Sequence, residues 1–195
     1  ALAGYGNRIH IQVDEEHNSI QVRDYGRGVP FGIIDGRNIL VAIYTESHTG
    51  GKFDKGAYKN SSGLNGIGGT AVCMSSETFF VKSIRDGKIA EAKFEKGNLI
   101  DYSEKTNNNN ETGTIVGFTP DKEVFQNMTE TFTYDRICSE IKNISYLNKG
   151  IHFIIEATDG RKQEFYSENG IADFIKDNIS KPLMRAPIIC SARSE

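Results

Sequence analysis

Apolar and polar residues alternate twice near the start of the chain. Arg8 to Val13 reads as one strand and Ser19 to Arg23 as its return, across a polar turn at Asp14 to Asn18. Asp24 falls just beyond the second strand. From Asn38 to Ser47 the period changes: Leu40, Ile43 and Tyr44 recur at helical spacing. Thr49 to Ser62 is rich in glycine, serine and lysine and poor in apolar residues, which marks a long functional loop or lid. A short helix is expected over Ile67 to Ser75. Phe79 to Arg85 and Lys88 to Lys96 then read as a hairpin turning at Asp86-Gly87. Asn107 to Asn110 is a polar loop tip, and Gly113 to Phe118 is a further strand. Phe132 to Leu147 places Tyr134, Ile137, Cys138, Ile141 and Ile144 on one stripe, an amphipathic helix with Gly150 past its end. Ile151 to Glu156 and Lys162 to Tyr166 form a second hairpin across Asp159-Gly160, and Ile171 to Ile179 a last helix. Hairpins interspersed with helices indicate the α+β class: a mixed, mostly antiparallel sheet with helices packed on one face.

Composition changes this picture little. A chain of 195 residues with 37% hydrophobic and 25% charged residues has the make-up of an ordinary globular domain. Its net charge of -3 argues against a free-standing nucleic-acid binder. There is no apolar run of membrane-spanning length, so no membrane partner is expected. Cys73, Cys138 and Cys190 are far apart in sequence, lack metal-ligand spacing and read as buried thiols in a reducing cytoplasm. His10, His17, His48 and His152 show no pairing that suggests a metal or a catalytic triad.

Candidate chemistry sits in two glycine-rich stretches. In Asp24-Tyr25-Gly26-Arg27-Gly28-Val29-Pro30 a carboxylate at a strand end can accept the exocyclic amine of adenine. Gly26 and Gly28 let the base approach the backbone, and Arg27 and Pro30 form a rim. In Gly63-Leu64-Asn65-Gly66-Ile67-Gly68 backbone N–H groups at a helix start can cradle phosphates. Lys52, Tyr58 and Lys59 precede this loop and can fold over a triphosphate. Each stretch alone has a plainer explanation: a strand-ending turn with a solvated aspartate, a flexible loop with a glycine cap, and solvated lysines.

In order along the chain, the first stretch, His48-Thr49-Gly50-Gly51-Lys52-Phe53-Asp54, Tyr58-Lys59, the glycine loop, and Thr112-Gly113-Thr114 with Phe118 resemble the ATPase domain of type IIA DNA topoisomerases. The likeness is to the bacterial gyrase B and topoisomerase IV B kind. The Gly-Gly-Lys-Phe-Asp run separates the chain from the heat-shock chaperones, MutL proteins and histidine kinases of the same superfamily. The resemblance implies the Bergerat fold, an eight-stranded mixed sheet with helices behind it. It implies that Asp24 contacts adenine with support from Thr114 through water, and that Val29, Ile43 and Val116 line the base pocket. It also implies that Lys52, Tyr58 and Lys59 lie near the phosphates, with Arg27 and Arg85 flanking the mouth where aminocoumarin-type inhibitors bind. Two positions depart from the bacterial pattern: Asn65 stands where histidine is common, and Tyr25 where Asp or Asn is common.

The resemblance further implies ATP and Mg2+ as ligands, dimerisation on ATP binding, and a DNA-cleaving partner protein acting with DNA. The family's general-base glutamate and magnesium-binding asparagine are expected on a helix upstream of Ala1, so no catalytic or metal residue is assigned within the chain. Ala1-Leu2-Ala3-Gly4 reads as the end of that helix. Residues 1–195 are thus expected to form an N-terminal ATPase domain without its first helix and arm, with 186–195 leading toward a following domain. The alternatives are a non-catalytic nucleotide-binding module or another ATPase of the superfamily.

Overall fold

The computed structural model describes residues 5–47, 66–126 and 131–179. The elements are β1 Arg8–Asp14, β2 Ser19–Asp24, β3 Ile33–Ile34, β4 Arg37–Asn38, α1 Ile39–Thr45, α2 Gly68–Met74, β5 Ser76–Arg85, β6 Lys88–Glu95, β7 Asn98–Thr106, β8 Gly113–Pro120, α3 Tyr134–Leu147, β9 His152–Ala157, β10 Lys162–Phe165 and α4 Ile171–Asn178. Eight strands form one sheet in the order β10-β9-β1-β2-β8-β5-β6-β7, and β3 pairs with β4 apart from it. β1 and β9 are parallel, and the other neighbours in the sheet are antiparallel. The parallel pair is the one that requires a long connection, and α3 lies in the chain between β8 and β9.

Strand alternation sorts the side chains into one core face and one open face. Register aligns the core residues in rows across β2, β8, β5 and β6. Ile20, Phe118, Phe79 and Phe94 make one row, and Val22, Val116, Val81 and Ala92 the next. Helices cover this face in two groups. Leu40 and Tyr44 of α1 and Cys73 of α2 pack on Phe79, Val81 and Phe94. Tyr134 and Cys138 of α3 pack on Ile11, Val13 and Ile155, and Phe118 touches both clusters. The expected α+β architecture with helices on one face is therefore the one found.

Helix ends follow their sequence signals. Asn38 caps α1, its Oδ1 accepting the Val41 N–H at 3.2 Å. The buried Thr70 hydroxyl donates to the carbonyls of Ile43 (3.2 Å) and Glu46 (3.3 Å), which ties α2 to the end of α1. The start of α3 is held by the β1–β2 turn: Glu15 Oε1 accepts the Tyr134 N–H at 2.6 Å, and Asn18 Oδ1 accepts the Phe132 N–H at 2.7 Å. Arg161 holds the other Glu15 oxygen.

Three features differ from the sequence pattern. β7 is a full edge strand that the alternation did not signal. In α3 the buried residues are Tyr134, Cys138, Ser145 and Tyr146, whereas Ile144 is 39% exposed. The ring of Tyr146 instead meets Phe174 of α4 edge-on at 5.4 Å, and its hydroxyl donates to Asp177 at 2.6 Å. The short β3–β4 pair bridges Asp35-Gly36, both with positive φ.

Candidate nucleotide site

The core-face rows become polar at one end of the sheet. Beyond the Val22–Val116–Val81 row, Ser83 pairs with Thr114, and continuing the β2–β8 register brings Asp24 level with Thr114. A carboxylate and two hydroxyls thus lie side by side above an apolar wall. Ser83 is fully buried and Thr114 is 6% exposed, so water reaches neither hydroxyl freely. Asp24 is half-buried at the end of β2. Its Oδ1 accepts the Gly26 N–H at 2.8 Å, an Asx turn that fixes the carboxylate. The Asp24 carboxylate has no second hydrogen-bond partner among the described residues, which leaves Oδ2 open to an external donor.

Glycine is required where the following turn crosses the sheet. Gly28 has φ +79°, and a Cβ there would stand 2.5 Å from the Ile84 carbonyl and 3.0 Å from Ser83 Oγ. The backbone therefore lies directly on β5. Two side chains pin it: Ser83 Oγ donates to the Val29 carbonyl at 2.6 Å, and Arg85 Nη1 donates to the Gly28 carbonyl at 3.3 Å. On the other side Gly113, φ +138°, abuts the Asp24 carbonyl, where a Cβ would stand at 2.2 Å.

The structure gathers most described candidates around this row. Val29, Ile43 and Val116 all pack on the α1–α2 core cluster. Pro30 and Arg85 line one cavity of about 460 Å³ with Phe31, Asp86 and Lys88. Arg27 lies over the ring of Tyr5, its guanidinium carbon 4.7 Å from the centroid. Gly66 has φ +60°, Ile67 is the N-cap of α2, and Gly68 is its first residue. Lys52, Tyr58, Lys59, Gly63, Leu64 and Asn65 lie outside the described residues. So do the Thr49–Ser62 segment, Ala1–Gly4, residues 186–195, His48 and Cys190.

Sequence reading missed Ser83 and the packing role of Gly113. Ser83 sits in a hairpin strand with nothing local to distinguish it, and its partner Val29 is distant in sequence. A larger cavity of about 620 Å³ lies on the open face, between Gln12, Gln21, Phe80, Lys93 and Thr119, and contains none of the candidate residues. Among the described residues, no group of three or more His, Cys, Asp or Glu is placed to hold a metal ion. No described helix is long and apolar enough to cross a membrane. Cys73 and Cys138 are buried, as expected, and burial pushes the Cys73 thiol up to about 11.

A mixed sheet of eight strands with helices on one face is the fold of the gyrase B ATPase domain. The chain is a homologue of the bacterial gyrase B and topoisomerase IV B proteins. It is 38% identical over 182 residues to the DNA gyrase B protein of Halalkalibacterium halodurans, covering 90% of this chain and 28% of that one. It is 36% identical over 177 residues to the DNA topoisomerase 4 B protein of Bacillus subtilis, covering 89% and 27%. Among solved structures, the 43K ATPase domain of Thermus thermophilus gyrase B in complex with an aminocoumarin matches with a TM-score of 0.73 and 26% identity, over 90% of this chain and 44% of that one. The chain spans less than a third of the length of these curated relatives. No protein-family model matches it.

Proposed function

We propose that the chain binds ATP at the Asp24–Thr114–Ser83 row and serves as the ATPase module of a type II DNA topoisomerase. One observation carries this reading: the half-buried Asp24 carboxylate, one oxygen fixed by its own turn and the other open, beside a buried hydroxyl and above an apolar wall. Adenine needs those three things together. Its amine donates to Asp24, Thr114 supports that bond through water, and Val29, Ile43 and Val116 cover the ring faces. Gly26 and Gly28 keep the turn low enough for the base to enter.

The triphosphate then extends toward the start of α2. There Gly66 and Gly68, with Gly63, Leu64, Asn65 and Ile67, offer backbone donors, Lys52 and Lys59 supply positive charge, and Tyr58 offers a hydroxyl donor. Arg27, Pro30 and Arg85 border the mouth, where an aminocoumarin also fits this scheme. No residue of these 195 is assigned to Mg2+ or to the general base in this reading. In the whole protein, ATP closes a dimer gate around a duplex, and a DNA-cleaving partner protein passes that duplex through another. The same reading places the protein in the cytoplasm with its DNA.

Calorimetric titration with ADP tests the proposal. Asp24→Asn keeps an oxygen for the Gly26 N–H but turns an amide donor toward the adenine amine. The loss is about 2–3 kcal/mol, as for a hydrogen bond to a charged group. Affinity within about twofold of the original protein counts against Asp24 as the base-reading residue.

A further inference from the structure

We propose that Tyr25 is a positioning residue for base recognition, acting through Asp24. The inference rests on the reading of the site as an adenine-nucleotide pocket. Tyr25 follows Asp24 directly, and alternation sends its side chain to the open face of the sheet while Asp24 faces the core side. On that open face the Arg8 guanidinium carbon lies 3.9 Å from the Tyr25 ring centroid, and that of Arg23 lies 4.5 Å from it. Arg8 opens β1 and Arg23 lies near the end of β2, strands that pair antiparallel with His10 opposite Arg23 and Ile9 opposite Asp24. Arg23 is in turn held by Glu111 at 2.9 Å, just ahead of β8. The ring therefore links β1 and β2 at the point where β2 ends, and Glu111 ties Arg23 to the segment just ahead of β8.

The backbone at this point has no slack. A Cβ on Gly6 would stand 2.3 Å from the Tyr25 carbonyl, and one on Gly113 would stand 2.2 Å from the Asp24 carbonyl and 3.1 Å from the Tyr25 Cα. Gly113 thus abuts the Asp24–Tyr25 peptide and Gly6 the Tyr25–Gly26 peptide, so both peptides flanking Tyr25 lie against glycine backbone. The ring and its two cations anchor them from the open face, and the Asp24–Gly26 turn completes the fixation. Side chains that hold a recognition group in orientation from behind decide how well it discriminates. Two neighbouring guanidiniums also repel each other, and the electron-rich ring face between them and the Glu111 carboxylate offset that repulsion.

The test compares ADP with IDP, titrated calorimetrically into the 195-residue chain. IDP carries a carbonyl oxygen where ADP carries the amine, so it faces the Asp24 carboxylate with an acceptor instead of a donor. The unsubstituted chain should prefer ADP strongly. Tyr25→Leu should weaken ADP binding by about fivefold to tenfold and leave IDP within about twofold, so the preference shrinks. Tyr25→Phe retains the ring and should keep the preference. Should Tyr25→Leu fail to fold, Arg8→Met decides: it leaves the ring and removes one cation, and the preference should fall by about twofold to threefold. An ADP-to-IDP ratio unchanged in Tyr25→Leu, or in Arg8→Met, overturns the proposal. So does a parallel loss of both nucleotides together with a lowered unfolding midpoint, which marks a merely structural ring. A chain that does not distinguish ADP from IDP before any substitution removes the pocket reading itself, and the role of Tyr25 with it.

Discussion

Gly28→Ala should be among the more damaging single-methyl additions to this chain, and its cost separates into two parts. The first is conformational. At φ +79° an L-residue pays about 1–2 kcal/mol that glycine does not. The second is contact. The added Cβ would lie 2.5 Å from the Ile84 carbonyl, about 1 Å short of ordinary contact, and that carbonyl belongs to a strand paired on both sides. The turn must lift, because β5 cannot yield. A lift of that size breaks the 2.6 Å bond from Ser83 Oγ to the Val29 carbonyl and leaves a fully buried hydroxyl unpaired. An orphaned buried group costs about 1–3 kcal/mol. The sum is about 2–5 kcal/mol, a large part of the 5–15 kcal/mol typical of a whole domain. Gly36→Ala is the control. Gly36 has φ +74° with nothing within 4 Å, so it carries the conformational part alone. Urea unfolding of both variants, extrapolated to water, gives the two costs. Gly28→Ala should exceed Gly36→Ala by about 1–3 kcal/mol. A difference below about 0.5 kcal/mol refutes the claim that the turn lies on β5.

Two further predictions concern the frame around the site. The Glu15 carboxyl is held below the usual carboxylate range, first by the Tyr134 N–H and then by Arg161. A depressed folded pKa gives stability that is present above the unfolded value and lost as pH falls through the folded one. Thermal midpoints of the unsubstituted chain and Glu15→Gln should therefore differ at pH 7 and converge below about pH 4, and a gap that persists in acid contradicts this role. Cys73, fully buried and with its thiol pushed up to about 11, should resist maleimide at pH 8 until urea is added. Labelling of the Cys73 peptide without denaturant contradicts its packing beneath Tyr44 and Phe79.

Local pattern was enough for the elements whose two faces differ. β1 and β2 alternate because one face is core, and the Asp86-Gly87 turn joins β5 and β6 with both residues at positive φ. β7 escaped because it is an edge strand with almost every residue exposed. A bulge between Lys93 and Phe94 also shifts its register: Leu99 stands opposite Phe94 and Asp101 opposite Lys93, with Ile100 left between them without an opposite residue, so the alternation is broken. In α3 the stripe drifted from Ile144 to Ser145 and Tyr146 because α4 supplies a second partner surface that the helix's own sequence does not encode. Within the site, Asp24 and Gly28 were legible because turn chemistry is local. Ser83 and Gly113 were not, since their roles exist only after β5 and β8 have been brought beside the turn. The basic rim showed the same split: Arg27 and Arg85 were named from motif, whereas the Arg8–Tyr25–Arg23 contact depends on strand pairing.

The central claim is that Asp24 reads the base of an adenine nucleotide, and a crystal structure of the chain with ADP tests it most directly. The account predicts the adenine amine within about 3.2 Å of the Asp24 carboxylate, the base lying against Val116 and Ile43, and the Gly26 N–H still bound to the same side chain. ADP bound with its base away from Asp24, for example in the open-face cavity beside Phe80, would contradict it.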